Sequence, residues 1–355
     1  MDKNKKFVII TISSTIVLLI LIIIFMVIID PYFHYHKPYA WLKYNLYNQR
    51  YQNNGIIKHF DYNAIITGTS MTENFKTSEL NDLFNVNSVK VSFSGGSFKE
   101  INDNLITATN YNKNIKMILR SIDLYKINEH KDTLSYEKDS YPTYLYDNNI
   151  INDIKYIFNK DIIVDGLNDI MLTINNRNSS NFDDYSKWYD IVTFSKETVD
   201  SLYKRESKQD IVNELSTSES QTIHDNIMQN VITLAREYPD IDFYLFYPPY
   251  SIYYWDNLNQ QGNLKKHLDI IEEATKLLVT CDNIHLYSFL DEYQIITNLN
   301  NYKDVEHYSE KINSLILKKM QNKENLLTKN NYEKHLNNIK KFYLNYDYDK
   351  LFKNS

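Results

Sequence analysis

The segment NAIITGTSMT, residues 63–72, decides the fold of this chain. Its apolar run, residues 63–68, ends in glycine and predicts a short strand, and residues 73–83 repeat apolar side chains at helical spacing. The same alternation recurs further along, with strands predicted at 88–93, 115–119, 242–247 and 283–289 and helices at 98–109, 220–237, 264–279 and 308–323. Five strands, each followed by a helix or loop, predict an α/β fold built on a parallel sheet.

An apolar segment precedes this alternation. Residues 7–29 form a run of 23 residues without a charge, and about 20 suffice to cross the hydrocarbon core as a helix. Lys3, Lys5 and Lys6 precede the run, so the positive-inside rule places the N-terminus in the cytoplasm and the rest of the chain outside. No small-x-small cleavage pattern follows, which favours an uncleaved signal anchor over a removed signal peptide.

The sequence divides the chain into segments. They are a cytoplasmic N-terminus (1–6), a transmembrane signal anchor (7–29), an aromatic and polar juxtamembrane connector (30–60), an α/β domain (61–325) and a C-terminal tail (326–355). Residues 126–220 interrupt the strand–helix alternation and are rich in Asn, Asp, Ser and Tyr. We interpret them as an insertion that caps or flanks the sheet.

Composition excludes several classes of function. The 355 residues carry a formal net charge of −6, which argues against nucleic acid as the main partner. The single cysteine, Cys281, excludes an intrachain disulfide framework and multi-cysteine metal sites. The chain contains no GxxxxGK[ST] phosphate loop. We therefore expect no cofactor and no metal, and an exported domain with one thiol suggests a Gram-positive-type surface protein.

Two short motifs could carry chemistry. Ser70 directly follows the first strand, at the sheet edge where ligands bind in open α/β folds, although with Glu73 it also matches a helix capping box. Asp304 and His307 follow the last strand. Their spacing lets the carboxylate orient the imidazole as a base, although such pairs are also common in solvated loops.

The order of these motifs resembles the SGNH, or GDSL, hydrolase superfamily over residues 61–325. Gly68-Thr69-Ser70 stands where the family has Gly-Asp-Ser, and Asp304-Val-Glu-His307 stands where it has Asp-x-x-His. Gly95 and Gly96, after the second strand, match the family's second block, which supplies an oxyanion-hole glycine. The same two glycines would also suit a turn that requires a positive φ.

The third block departs from the family. Residues 119–124 (LRSIDL) lack the asparagine that donates to the oxyanion. This departure is similar to the membrane-anchored branch that modifies surface polymers, including D-alanyl-lipoteichoic acid transfer and alginate acetylation proteins. The resemblance implies a flavodoxin-like three-layer α/β/α fold with a parallel sheet, preceded by one transmembrane helix.

The resemblance also implies a function. Ser70, His307 and Asp304 would form a catalytic triad, with the N–H groups of Ser70 and of Gly95 or Gly96 as the oxyanion hole. The chain would then be an extracytoplasmic serine esterase or O-acyltransferase acting on a cell-surface polysaccharide or teichoic acid, with a membrane-bound acyl-donor protein as a further partner. The alternative is a non-catalytic polymer-binding or assembly protein that retains the fold; the complete triad favours an enzyme.

An aromatic segment follows the fourth strand. Tyr250 and Trp255 lie within it, shortly after two prolines. They could form a wall on which a sugar substrate stacks. They could equally pack against the prolines at the end of the strand, and the sequence leaves both interpretations open.

Overall fold

The computed structural model describes residues 3–136 and 141–352. Residues 1–2 of the N-terminal segment, 137–140 of the insertion and 353–355 of the tail therefore lie outside the described residues. The chain divides into two compact units. We call Met1–Phe60 with Tyr136–Asn181 the helical unit, and Asp61–Ser135 with Phe182–Ser355 the sheet unit.

The elements alternate along the chain. The strands are β1 (Ala64–Gly68), β2 (Ser88–Ser92), β3 (Met117–Ser121), β4 (Asp242–Tyr247), β5 (Ile284–Ser288) and β6 (Leu326–Leu327). The α-helices are α1 (Lys3–Ile29), α2 (Gln49–His59), α3 (Thr77–Phe84), α4 (Phe98–Tyr111), α5 (Ile154–Ile157), α6 (Lys160–Ile174), α7 (Lys196–Leu202), α8 (Thr217–Ile227), α9 (Thr233–Glu237), α10 (Ile252–Gln260), α11 (Leu264–Leu278), α12 (Tyr293–Ile296), α13 (Glu310–Gln321) and α14 (Tyr332–Asn345).

The sheet confirms the predicted α/β class. Its strand order is β2-β1-β3-β4-β5-β6, with β1 to β5 parallel and β6 antiparallel to β5. The chain leaves β1 for β2 on one side and then returns across β1 to β3, so the strand order reverses beside β1. In open α/β sheets this reversal creates a crevice at the carboxyl ends of the strands, where ligands bind.

Two charged residues lie inside the sheet. Lys90 of β2 donates its Nζ hydrogens to the carbonyl oxygens of Glu73 (2.5 Å) and Phe75 (3.0 Å), and burial lowers the pKa of Lys90 to about 7. Arg120 of β3 donates from Nη1 to the carbonyl oxygen of Asn230 at 2.7 Å. Because a buried charge is costly unless it is hydrogen-bonded, these carbonyl groups make both positions tolerable.

The first helix of the sheet unit begins later than the sequence predicts. The prediction was a helix over residues 73–83, whereas α3 begins at Thr77 and a short 3₁₀ turn occupies Ser70–Thr72. The ammonium of Lys90 takes the carbonyl oxygens of Glu73 and Phe75, which an α-helix would need as acceptors. A buried lysine on the neighbouring strand thus sets where the helix starts.

The helical unit contains one helix, α1, that is long and apolar enough to span a membrane. Its C-terminal end packs into a cluster that includes Met26, Tyr144 and Tyr156. The carboxylate of Asp30, directly after α1, accepts the Tyr156 hydroxyl at 2.7 Å and the N–H of Tyr35 at 2.8 Å. The segment after α1 therefore folds together with residues 141–181, which the sequence had assigned to an insertion that caps or flanks the sheet.

Candidate active site

Ser70 lies at the carboxyl end of β1. It opens the 3₁₀ turn Ser70–Thr72, and the N-cap of that turn is Thr69, whose Oγ1 accepts the N–H of Met71 at 3.4 Å. Ser70 is therefore not the capping residue. Its hydroxyl remains partly exposed at the sheet edge.

The last residue of β1, two positions before this turn begins, has to be glycine. Gly68 has a φ of +143°, a conformation that residues with a side chain rarely adopt. A Cβ atom at this position would lie 2.3 Å from Ser121 Oγ. Gly68 thus lets β1 end close to β3 and turn sharply into Ser70.

The three residues predicted to form a triad are linked in series by hydrogen bonds through His307. Ser70 Oγ is 2.8 Å from His307 Nε2, and His307 Nδ1 is 2.8 Å from Asp304 Oδ2. An ionised carboxylate can only accept, so Nδ1 carries the hydrogen toward Asp304 and Nε2 accepts the hydroxyl hydrogen of Ser70. This arrangement can remove a proton from Ser70.

Asp304 is held as a carboxylate. Burial raises its pKa, but the hydrogen bonds from His307 and Glu306 outweigh burial, and the net pKa lies below its usual value. Two of these bonds come from the backbone N–H groups of Glu306 (2.9 Å) and His307 (2.8 Å) to Oδ1. The loop that carries them is closed by a bridge between Tyr302 and Tyr308.

The two glycines after β2 form a turn. The Gly96 N–H donates to the Phe93 carbonyl oxygen at 2.7 Å, and Gly95 has a φ of +63°. The Phe93 N–H donates to the Gly68 carbonyl oxygen at 2.8 Å, so this turn is tied to the end of β1. Because the Gly96 N–H is already used within the turn, Gly95 is the better candidate of the two for an oxyanion donor.

A buried carboxylate, Asp123, lies just after β3. Asp123 accepts hydrogen bonds from Ser121 Oγ (2.7 Å), Thr69 Oγ1 (2.8 Å) and the Tyr250 hydroxyl (3.0 Å). Burial raises its pKa, and these three hydroxyl groups act in the opposite direction. Asp123 therefore holds Thr69, the residue that precedes Ser70, in place. This role does not require Asp123 to contact the substrate.

The predicted sugar-stacking wall is wrong. Tyr250 and Trp255 are both fully buried. The Tyr250 hydroxyl is used by Asp123, and the Trp255 ring stacks on Tyr343 with centroids 3.8 Å apart. Rings enclosed in this way cannot stack on a sugar. Their ring partners are other aromatic side chains, including Tyr254 for Tyr250 and Tyr343 for Trp255, which differs from the packing against the prolines that was the alternative.

Three residues near His307 were not predicted. The ring of Trp188 meets His307 edge to face, with centroids 5.4 Å apart, and Lys303 Nζ lies 4.4 Å from the Trp188 ring centroid. Burial raises the pKa of Glu306 to about 7. Trp188 belongs to the irregular segment 126–220 and is more than a hundred residues from His307, so no local pattern could indicate this contact.

The histidines and carboxylates of the chain do not form a metal site in the described residues. Within residues 3–136 and 141–352, no group of three or more His, Cys, Asp or Glu side chains is placed to hold a metal ion. The histidines of the His34-x-His36 motif have other partners. His34 Nε2 lies 3.1 Å from Asp153 Oδ1, and His36 Nε2 lies 2.8 Å from the Val27 carbonyl oxygen.

Comparison with known proteins adds one likeness. Neither a protein-family model nor a curated protein matches the chain. Among solved structures, the chain is similar to one described as "The structure of a putative platelet activating factor from Streptococcus pneumonia". The sequence identity is 12%, the TM-score is 0.37, and the match covers 77% of this chain and 90% of that one. A likeness this weak does not indicate a function for the chain. The geometry of the site is therefore the basis for a proposed function.

Proposed function

We propose that this chain is a membrane-anchored serine esterase or O-acyltransferase whose sheet unit has the flavodoxin-like, three-layer SGNH form. The observation that carries the proposal is the continuous hydrogen-bonded series from Ser70 through His307 to Asp304. Its position supports the proposal further, because Ser70 follows β1 where the strand order of the sheet reverses.

The geometry supports a two-step acyl transfer. Ser70 Oγ attacks the carbonyl carbon of an acyl ester while His307 Nε2 takes its proton, and Asp304 stabilises the imidazolium. The N–H groups of Ser70 and Gly95 are the proposed donors to the oxyanion, and losing one such donor typically costs ~10²–10³ in rate. The tetrahedral intermediate then collapses, and His307 gives the proton to the departing alcohol.

The second step distinguishes the two activities. Water attacks the acyl-enzyme in an esterase, and a sugar or polyol hydroxyl attacks it in a transferase. In either case His307 removes the proton of the attacking water or hydroxyl group. It then returns that proton to Ser70 Oγ as the acyl-enzyme bond breaks. We propose a cell-surface polysaccharide or teichoic acid as the polymer acted on and a membrane-bound protein as the acyl donor, because an anchored enzyme meets both at the membrane surface.

The packing of α1 supports a retained anchor. Met26 and Ile29 are buried against the rest of the helical unit, so cleavage of α1 would remove residues from a folded core. Lys3, Lys5 and Lys6 support an orientation with the N-terminus in the cytoplasm and the sheet unit outside the cell.

The test uses the full chain in detergent micelles. Release of p-nitrophenol from p-nitrophenyl acetate is followed in the millisecond-to-second range for the native chain, Ser70→Ala and His307→Ala, with exposed Ser201→Ala as the matched control. We expect a burst in the native chain and the control and none in the two site variants. A steady-state rate that rises with a polyol acceptor would indicate transfer.

Two outcomes would contradict the proposal. A burst that persists in Ser70→Ala would show that another group is acylated. Equal background rates in all four proteins would favour the non-catalytic polymer-binding role, which a glycan pull-down with the same preparations would then test.

A further inference from the structure

Helix α6 carries an apolar face without a partner in the described residues. The face consists of four exposed side chains: Val164, Leu167, Met171 and Ile174. Their spacing places them on one side of the helix, while Ile162, Gly166 and Asp169 on the opposite side are buried in the helical unit. In a typical surface helix the apolar side faces the protein core. In α6 the apolar stripe instead points away from the helical unit.

The stripe has a counterpart just before α6. Ile150 and Ile151 are 81% and 85% exposed, and Ile154 of α5 is 59% exposed. Helix α5 contacts both α1 and α6. We call these three isoleucines together with the four residues of α6 the apolar face. Water-soluble proteins rarely leave so many large apolar side chains exposed in neighbouring elements without a binding partner.

The apolar face lies beside the membrane-spanning candidate. A Cβ atom on Gly166 would lie 3.2 Å from the Phe25 ring and 3.4 Å from Ile29 Cγ2. Helix α6 therefore crosses α1 closely, at the last two turns of α1. Ile22 and Phe25 are partly covered by the same cluster that buries Met26.

The length of α1 indicates the depth of this crossing. Residues 3–21 are exposed all round, and the uncharged part of that stretch, residues 7–21, is 15 residues or roughly 22 Å long. The hydrocarbon core of a bilayer is about 30 Å thick. The missing ~8 Å corresponds to about five further residues, which takes the span to Met26. The bilayer must then extend to the turns on which α5 and α6 pack.

An aromatic pair marks the far boundary of that span. Tyr39 and Trp41 are exposed and stacked, with ring centroids 6.1 Å apart. The Tyr39 ring lies 4.6 Å from the His36 ring, and His36 Nε2 lies 2.8 Å from the carbonyl oxygen of Val27. The pair is thus level with the last turn of α1, and Trp and Tyr are typical of the membrane–water interface.

We infer that α5 and α6 form a membrane-embedded collar, whose apolar face inserts into the acyl-chain region of the leaflet at the C-terminal end of α1. The partner is the lipid bilayer itself. The inference rests on the proposed membrane span of α1 and extends it, since the helical unit then sits in the leaflet and is not merely tethered above it.

The experiment measures depth by quenching. In a Cys281→Ala background, single cysteines at Leu167, Met171, Asn168 and Ile16 are labelled with the fluorophore NBD. Asn168 is exposed and lies about 100° around α6 from Leu167, at the polar edge of the apolar face, so a probe there serves as a shallower comparison on the same helix. The full chain is reconstituted into phosphatidylcholine–phosphatidylglycerol vesicles with or without lipids that carry a nitroxide on the acyl chain.

We expect blue-shifted emission and at least twofold quenching at positions 16, 167 and 171, with weaker quenching at 168. Strong quenching at 16 together with water-like emission at 167 and 171 would overturn the collar and leave the anchor intact. Blue-shifted emission at 167 and 171 without lipid quenching would mean that a second protein surface covers the face, which also overturns it. An unquenched probe at 16 would refute the span and the collar together.

Discussion

At the scale of single residues, the position of Ser70 depends on a buried carboxylate that never needs to touch substrate. Asp123 accepts hydrogen bonds from three hydroxyl groups, and one of these groups belongs to Thr69, the residue before Ser70. Thr69 Oγ1 also caps the turn that carries Ser70. The Thr69 side chain therefore links the buried Asp123 to the turn that carries Ser70.

Replacing Thr69 by valine tests this link. Thr69→Val keeps the shape of the side chain but removes both the hydrogen bond to Asp123 and the cap on the Met71 N–H. We expect kcat for p-nitrophenyl acetate to fall roughly 10-fold to 100-fold with little change in KM, because a small misplacement of the nucleophile is costly. The control is Thr107→Val on the exposed side of α4. An unchanged kcat in Thr69→Val would show that Ser70 is positioned without Asp123.

The tautomer of His307 depends on Asp304. Asp304→Asn retains the size of the side chain but can present an N–H to Nδ1, which would turn the hydrogen of the imidazole toward Ser70. We expect kcat to fall by about 10⁴, the magnitude typical of this change in serine triads. Asp282→Asn, at an exposed carboxylate, serves as the control. A loss of less than tenfold would mean that Asp304 does not orient His307.

Glu306 gives a prediction about pH. Burial raises its pKa to about 7 in the folded chain, whereas an unfolded glutamate titrates near ~4.3. The folded state therefore binds more protons than the unfolded state between these values, and the contribution of Glu306 to stability falls as pH rises from about 4 to about 7. Above pH 7 the full penalty of a buried charge is present.

The variant Glu306→Gln lacks this titration. We expect its free energy of unfolding, relative to the native chain, to improve by on the order of 3 kcal/mol between pH 4 and pH 8. Urea unfolding at a series of pH values measures the difference, with Glu273→Gln on the exposed side of α11 as the control. A difference that stays constant with pH would show that Glu306 titrates normally.

At the scale of elements, the sequence predicted the parallel strands well. Each of β1 to β5 lies within two residues of its predicted range, because short apolar runs, as in β1, and alternation of apolar and polar residues, as in β2, both indicate strands. The two-residue strand β6 has no period to detect. The late start of α3 depends on Lys90, a residue of the neighbouring strand, so no local pattern could have shown it.

The candidate site was only partly predictable from the same sequence. The positions of Ser70, Asp304 and His307 after predicted strands put them at one edge of the sheet, but only the resemblance of their motifs to a known superfamily suggested that the three side chains act together. The direction in which Tyr250 and Trp255 point was not predictable, since an aromatic run after a strand does not say which side of the loop it faces. Asp123 and Trp188 make their contacts with residues that are distant in the sequence. The sequence around each of them therefore does not indicate these contacts.

Helix α4 offers a test at this scale, because it begins with a buried capping box immediately after the glycine turn. Ser97 Oγ accepts the Glu100 N–H at 3.2 Å, and Glu100 Oε2 accepts the Ser97 N–H at 3.0 Å. We expect Ser97→Ala to lower the free energy of unfolding by about 1–2 kcal/mol. The exposed capping box of α8 provides the comparison, where Ser216→Ala should cost less because water can replace the lost bond. Equal losses in urea unfolding would contradict this.

At the scale of the whole molecule, the two parts of α1 lie in different environments. Residues 3–21 are exposed all round, whereas Met26 is completely buried in the cluster with Tyr144 and Tyr156. A removable signal peptide would have no reason to complete a folded core. The helical unit is therefore expected to depend on α1 for its stability, and a chain that begins after Ile29 should lose part of that stability.

This dependence can be measured with two alanine substitutions in one helix. Met26→Ala opens a cavity in the core and should lower the stability of the helical unit by about 2–4 kcal/mol. Ile16→Ala removes a side chain from the fully exposed part of α1 and should change that stability by less than about 0.5 kcal/mol. Hydrogen exchange of peptides from residues 144–157, recorded in lipid nanodiscs, reports the opening of the unit. We expect faster exchange in Met26→Ala alone, because only that side chain contacts the cluster. Equal exchange in the two variants would show that the helical unit folds without α1, and the case for a retained anchor would then depend on the apolar length of α1 alone.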